Sequence, residues 1–194
     1  MSFSAWQIAE ACLQAGEVQE ALQALEDHLQ ASPDDAGRRL HAALLLRLHS
    51  DEAGLRQALA DLDALSHEET DDMVQRSILY EKLGDAKAAQ AQMRRALEDR
   101  PDDERLAERL VWLLRQARHL NEALDLIRQQ ARTWRWLRWE GDLLAEMGDD
   151  ATASARYGLA MAQMEAQFDL SAEVHLAAQH AQMAGARADR KSVV

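Results

Sequence analysis

Apolar side chains recur every three to four residues along most of the chain, the spacing that gathers them on one face of an α-helix. The segments 21–29 and 106–114 show this pattern well, with leucine or alanine at each turn. Residues that favour helix starts stand between such segments, among them a capping box at Ser66–Glu69 and Asn121 before Glu122. We therefore predict ten antiparallel helices joined by short turns, at residues 4–15, 18–31, 35–49, 52–65, 68–83, 86–99, 103–117, 120–131, 134–147 and 150–166.

A period of 34 residues organises these helices. Pro33 and Pro101 are each followed by two aspartates and stand 68 residues apart, which is twice 34. Small or compact residues, which would let two helices cross closely, recur at steps of 34: Ala9, Ala43, Ser77 and Val111. Self-similarity at such a period indicates stacked helix pairs, each too small to bury its apolar face alone.

The repeats resemble those of the tetratricopeptide repeat (TPR) family. The third unit matches the family pattern best, with Met73, Ser77, Tyr80, Gly84, Asp85, Ala89, Met93, Ala96, Leu97 and Pro101. The fifth unit is nearly as good, with Leu137, Gly141, Leu144, Gly148, Asp149, Ala153, Tyr157 and Ala160. Other units depart from it, since Ser50 replaces the turn glycine of the second and Arg118 that of the fourth.

The resemblance implies an all-α fold, a right-handed α-solenoid of about five helix-turn-helix repeats plus a C-terminal capping helix. We expect a TPR-like superhelical domain at residues 2–166 and a capping segment at 167–186, because the last repeat needs a polar outer cover. Residues 187–194 are expected to form a flexible tail.

Composition narrows the class of partner. The net charge of −12 repels nucleic-acid phosphates and anionic lipids, so we expect neither nucleic acid nor a membrane surface as the general partner. No apolar run approaches the roughly 20 residues of a membrane span. Residues 1–10 lack the features of a signal peptide, and a single cysteine fits a reducing compartment. A cytoplasmic location is the expectation.

The sequence contains no phosphate loop, no zinc motif and no nucleophile with an evident base, so we expect no enzyme, no cofactor and no metal. The seven histidines lack metal-ligand spacing and are expected at the surface. Cys12 falls where the family packs a residue between paired helices. Aspartate pairs such as 34–35, 71–72 and 149–150 stand at predicted helix starts, where they would complement the helix dipole rather than bind Ca²⁺.

By resemblance, the first helix of each pair lines a concave groove. The groove candidates of the N-terminal half are Trp6 and an apolar strip formed by Leu40, Leu44, Val74 and Ile78. The candidates of the C-terminal half are largely cationic: Arg105, Trp112, Arg115, Arg135, Arg138 and Trp139. Arginine and tryptophan are enriched at binding hot spots, so this half is expected to hold an acidic peptide or a C-terminal carboxylate.

Each candidate also has a structural interpretation. Trp136 is expected in the core, and the arginines could form a solvated face paired with nearby acids. The carboxylate clamp of chaperone-binding family members is disfavoured, because Val74, Ile78, Arg109 and Arg135 stand where its lysines and asparagines would fall. We predict a protein-protein interaction scaffold or adaptor within a multiprotein assembly. The alternative is an assembly factor or secretion-type chaperone that shields an apolar client segment.

Overall fold

The computed structural model describes residues 5–48 and 51–167, and these residues form ten α-helices and no strand. The helices are α1 (Ala5–Ala15), α2 (Val18–Ala31), α3 (Asp35–Leu48), α4 (Glu52–Asp63), α5 (Thr70–Lys82), α6 (Ala86–Asp99), α7 (Glu104–Gln116), α8 (Leu120–Gln129), α9 (Trp134–Glu146) and α10 (Asp150–Gln167). Their bounds fall within two residues of the predicted ones. The predicted capping helix and tail lie outside the described residues.

The chain divides into two compact units, and the boundary falls inside α7, between Leu106 and Ala107. In the first unit, α1 packs on α2, α3 on α4 and α5 on α6, and each pair also contacts the next. Its core is built from alanine and leucine, including Ala21, Leu25 and Leu62, which are fully buried. In the second unit, α9 packs against both α8 and α10.

Four of the turns inside a helix pair have the same backbone geometry. Gly16, Gly84 and Gly148 have φ of 81°, 82° and 87°, and Arg118 occupies the equivalent place with φ of 61°. At each turn the next amide donates to a carbonyl five residues back, as in Asp85 N–H to Tyr80 O at 2.8 Å. This closing bond satisfies a helix-end carbonyl, and it requires the left-handed conformation that glycine adopts without strain.

The 34-residue register is confirmed at three of its four positions. Ala9, Ser77 and Val111 are completely buried, whereas Ala43 is only partly buried and its neighbour Ala42 takes the buried position. The prediction for Ala43 is therefore wrong by one residue. A helix turns 100° per residue, so a small rotation of α3 is enough to exchange the two alanines.

A close crossing in the second unit shows why a small residue is needed. A methyl group placed on Gly141 of α9 would lie 2.6 Å from the Tyr157 ring of α10. The ring therefore packs directly on the α9 backbone, and the Tyr157 hydroxyl donates to Asp142 at 2.8 Å. Trp136 is 2% exposed in the same core, which confirms its predicted structural role.

The capping box of α5 lies three residues after the predicted one. The Ser66 hydroxyl and amide are both bound to the Asp35 carboxylate of α3, so Ser66 is not available to cap a helix. Instead, Glu69 is the N-cap of α5, and its amide donates to Asp72 at 2.8 Å. The prediction failed because the Ser66 hydroxyl donates to Asp35 of α3, 31 residues earlier in the chain, instead of capping α5.

Candidate binding surface

The predicted apolar strip is largely occupied by the core of the first unit. Leu44 is 5% exposed and belongs to that core, and Leu40 packs against it. Trp6 also packs on the core, with its ring centroid 5.6 Å from that of His28. Val74 and Ile78, one turn apart on α5, are half-buried. The surface that remains for a ligand is smaller than the sequence suggested.

The helix α9 separates its apolar and polar residues clearly. Leu137, Leu143 and Leu144 are buried on one side, whereas Arg135 is exposed and Arg138 is half-buried. Residues three and four apart share a helix face, so Arg135, Arg138 and Trp139 lie together along α9. We call the residues Trp112, Arg115, Arg135, Arg138 and Trp139 of the second unit the cationic face.

The residue Arg105, also predicted for this site, belongs to the first unit. It is exposed at the start of α7, where its amide donates to the Asp103 carboxylate at 3.0 Å.

Arginine and tryptophan stack on one another in the second unit. The guanidinium carbon of Arg109 lies 4.5 Å from the Trp112 ring centroid, and that of Arg115 lies 5.8 Å from Trp139. Arg135 covers Trp134 at 5.3 Å. Such contacts hold flat, polarisable surfaces in place while the charge stays accessible. Arg109 was not among the predicted groove residues, although its three-residue spacing from Trp112 could have indicated this pair.

The arginines of the cationic face differ in how well they are neutralised. Arg115 donates to the Glu146 carboxylate, which also lies 3.5 Å from Arg118. For Arg135 and Arg138, no ion pair with a carboxylate occurs among the described residues, and the buried Nε of Arg138 makes no hydrogen bond. A partly buried cation without a counter-charge is costly, so Arg138 favours an external anion, and the exposed Arg135 adds a second positive charge beside it.

The aspartates at helix starts bind the chain itself. Asp34 accepts from the Gly37 amide at 2.7 Å and Asp149 from the Thr152 amide at 3.1 Å. The hydrogen bond from the Gly37 amide, and to a lesser extent the one with His28, holds the pKa of Asp34 below its ordinary value. The Thr152 hydroxyl and amide lower the pKa of Asp149 in the same way. These contacts confirm the capping interpretation. Within residues 5–48 and 51–167, no group of three His, Cys, Asp or Glu side chains could hold a metal ion.

One histidine contradicts the expectation of a solvated surface. His41 of α3 is 3% exposed, and its Nδ1 lies 2.5 Å from Asp61 of α4, which is itself buried. The Glu26 carboxylate of α2 is 3.8 Å from Nε2. The prediction failed because helical spacing within α3 does not reveal a carboxylate placed opposite by another helix. Cys12, by contrast, is partly buried against the core, close to its predicted environment.

No family model matches the chain, and no curated protein matches it in sequence. Solved structures do match. A MamA protein has a TM-score of 0.72 at 13% identity, covering 86% of this chain and 94% of its own. YrrB, described as a TPR protein with an unusual peptide-binding site, has a TM-score of 0.66 at 17% identity, covering 90% of each chain. The thermophilic TPR protein TTC0263 of Thermus thermophilus has a TM-score of 0.52 at 17% identity, covering 92% and 97%.

The similarity to these solved structures agrees with features of the chain itself. Helices α1 and α2, α3 and α4, α5 and α6, and α9 and α10 pack as pairs, and the left-handed turn position recurs in four of the helix-to-helix turns. Small residues are buried at three of the positions that the 34-residue register marks. No helix of the described residues is long and apolar enough to cross a bilayer. The chain therefore has the all-α repeat fold of tetratricopeptide repeat proteins.

Proposed function

We propose that this protein is a non-catalytic interaction scaffold whose cationic face holds an acidic segment of a partner protein. The observation that carries the proposal is the pair Arg135 and Arg138, which no described carboxylate neutralises. Trp139, one residue after Arg138 and one turn after Arg135 on α9, is half-buried and stacked by Arg115. Trp112 of α7 is a second half-buried ring, stacked by Arg109. A partner carboxylate placed here would gain charge-assisted hydrogen bonds together with aromatic contact, the combination found at binding hot spots.

Two lines support a peptide or protein as the ligand. The face runs along α9 and is built from arginine and tryptophan side chains. YrrB, which shares the fold, is described as having a peptide-binding site. An acidic partner is favoured because the local excess of arginine contrasts with a net charge of −12 for the whole chain. We place the protein in the cytoplasm as part of this proposal, since its single cysteine fits a reducing compartment.

The chaperone alternative has less support. It relied on an apolar strip open to a client segment, but Leu44 lies in the core and Leu40 packs against it. Val74 and Ile78 remain as half-buried candidates on α5. Their substitution by serine would abolish client binding under this alternative and leave the binding of acidic peptides unchanged under the scaffold proposal.

A charge-reversal experiment tests the proposal. The double variant Arg135→Glu/Arg138→Glu should bind Glu- and Asp-rich peptides at least about tenfold more weakly. Two cations that attract the acidic peptide are replaced by two carboxylates that repel it. The matched control is Arg47→Glu/Arg56→Glu, which changes the net charge equally on exposed residues of the first unit. Fluorescence anisotropy at two salt concentrations measures the affinities. Equal loss in both variants, or none in the first, would contradict the proposal.

A further inference from the structure

A buried carboxylate in the second unit is surrounded by more positive charge than it needs. Glu140 of α9 is 1% exposed. Arg156 of α10 places Nε 2.8 Å from its Oε2, and Arg132, from the connection between α8 and α9, places Nη1 3.5 Å from the same oxygen. Arg128, in the last turn of α8, has Nε 3.6 Å from Oε1. Three guanidinium groups from three segments therefore converge on one carboxylate.

The hydrogen bonds of this cluster are incomplete. Neither Arg156 Nε nor Glu140 Oε1 has an aligned hydrogen-bond partner, although both atoms are buried. The side chains of Arg128 and Arg132 are 50% and 58% exposed, and both stand beyond ordinary hydrogen-bond distance from the carboxylate. Each guanidinium carries five N–H donors, so the half-exposed Arg128 and Arg132 retain donors that an added anion could use.

The charge balance is also unequal. One arginine is enough to neutralise Glu140, and Arg156 is close enough to do so. Asp125 offers a second carboxylate to Arg128 at 3.7 Å, but it is 71% exposed and its attraction is screened by water. No described carboxylate other than Glu140 pairs with Arg132. The mutual repulsion of the guanidinium groups is a cost that an added anion would remove.

This cluster is separate from the cationic face. A helix turns 100° per residue, so Glu140 points to the side of α9 opposite Arg138. Two of the arginines come from α8 and α10, the second helices of their pairs. A ligand here would approach the second unit from a different side than an acidic segment on Arg135 and Arg138.

We propose that Arg128, Arg132 and Arg156 form a second site, which binds a phosphate monoester carried by a phosphorylated side chain of a partner protein. A phosphoryl group bears a charge of about −1.5 to −2 at neutral pH and has three acceptor oxygens. That charge offsets the two arginines in excess over Glu140, and arginine forks bind phosphate oxygens in pairs. A planar carboxylate, with one charge and two oxygens, would leave one arginine unmatched. Glu140 acts as the buried anchor that holds Arg156 in place.

Small anions of defined chemistry test the site directly. N-acetyl-O-phosphoserine amide is the main probe, inorganic phosphate reports a free-anion site, and N-acetylglutamate amide reports a site for any carboxylate. Binding is measured by isothermal titration calorimetry and by the shift of arginine Nε–Hε resonances in NMR spectra. The phosphoserine derivative should bind at least about tenfold more tightly than the glutamate derivative. Its affinity should fall as pH drops from 7.5 to 5.5, since the second phosphate ionisation has a pKa near 6.

The variant Arg128→Gln/Arg132→Gln separates the site from the fold. Both side chains are half-exposed, so we expect an unchanged circular dichroism spectrum and a loss of phosphoserine affinity of about tenfold or more. Arg47→Gln/Arg56→Gln is the control and should bind normally. Equal binding of phosphoserine by both double variants, or equal affinity for phosphoserine and glutamate, would overturn the proposal. Binding of inorganic phosphate alone would also overturn it, because the site would then serve a free anion.

Discussion

At the scale of single residues, one turn position shows how conformation selects an amino acid. Gly16, Gly84 and Gly148 accept a left-handed backbone freely, whereas Arg118 adopts the same conformation with a side chain. For an L-residue with a Cβ this conformation costs roughly 1–2 kcal/mol. The closing bond from the His119 amide to the Leu114 carbonyl, at 2.8 Å, keeps the turn despite that cost.

Replacing Arg118 by glycine should therefore stabilise the protein. We expect Arg118→Gly to raise the free energy of unfolding by about 0.5–1 kcal/mol, because relief of strain outweighs the greater freedom of glycine in the unfolded chain. The lost contact with Glu146 is 3.5 Å long and exposed, so it adds little. Urea denaturation measures the change. The converse variant Gly84→Ala should destabilise the protein, and a stabilising Gly84→Ala would refute the explanation.

Two glycines in the last helix pair have opposite environments. A methyl group on Gly141 would collide with the Tyr157 ring, whereas nothing lies within 4 Å of a methyl group on Gly158. Gly141→Ala should cost about 1–3 kcal/mol through overpacking. Gly158→Ala, at an exposed position of α10, should stabilise the protein by up to about 1 kcal/mol. Thermal denaturation measures the melting temperatures of the two variants, in which the same glycine-to-alanine change is made at two positions. Similar shifts of the melting temperature in both would contradict the packing of Tyr157 on α9.

At the scale of helices, buried polar contacts connect consecutive repeats. Asp72 at the start of α5 accepts from the Arg39 guanidinium of α3 at 2.9–3.1 Å and also caps its own helix. The Asp72 carboxylate helps hold the pKa of Arg39 above its ordinary value. Asp35 bonds to Ser66 in the same region. These contacts join α3 to α5 and to the connection that precedes it.

Adjacent aspartates allow a matched test of that connection. Asp72→Ala should cost about 3 kcal/mol, because it removes a buried charge partner and a helix cap together. Asp71→Ala removes a carboxylate that is 74% exposed and whose ion-pair partner within residues 5–48 and 51–167 is Arg100, which is 48% exposed. Its cost should stay below about 1 kcal/mol. Chemical denaturation followed by circular dichroism measures both; comparable losses would show that the Arg39 contact does not carry the stability.

At the scale of the whole molecule, the carboxylates couple stability to pH. The pKa values of Asp34 and Asp149 lie below the ordinary aspartate value in the folded state. A lowered folded-state pKa contributes stability above the unfolded pKa, near 3.9, and that contribution disappears as pH falls through the folded value. Folding should therefore weaken progressively below about pH 5.

The variant Asp34→Asn, which keeps the size of the side chain but not its charge, tests the contribution of this carboxylate to the pH dependence of stability. Asp34→Asn should lower the urea midpoint at pH 7, because it replaces the charged acceptor of the Gly37 amide by a weaker neutral one and removes the negative charge beside His28. The difference between wild type and variant should narrow as pH falls below the ordinary aspartate pKa and through the lowered folded-state pKa of Asp34. A difference that is constant from pH 7 to pH 3 would show that the carboxylate charge makes no contribution.

The local chemistry of the chain was enough to predict much of the fold. Helical periodicity placed α2 and α6 at their observed bounds, and the glycine and small-residue pattern located the turns and most helix crossings. The same pattern placed Trp136 in the core. These features depend on the spacing of residues within one or two helical turns, or on a repeat of fixed length, and both are visible in the order of amino acids.

Contacts between helices decided the rest. The burial of His41 beside Asp61, the diversion of Ser66 to Asp35 and the stacking of Arg115 on Trp139 each join residues about 20 to 31 positions apart. The convergence of Arg128, Arg132 and Arg156 on Glu140 likewise needs three segments to meet. Sequence order specifies which face each helix presents, but the rotation of one helix against another selects which polar groups meet. That rotation follows from packing summed over the whole interface, so no single spacing along the chain encodes it.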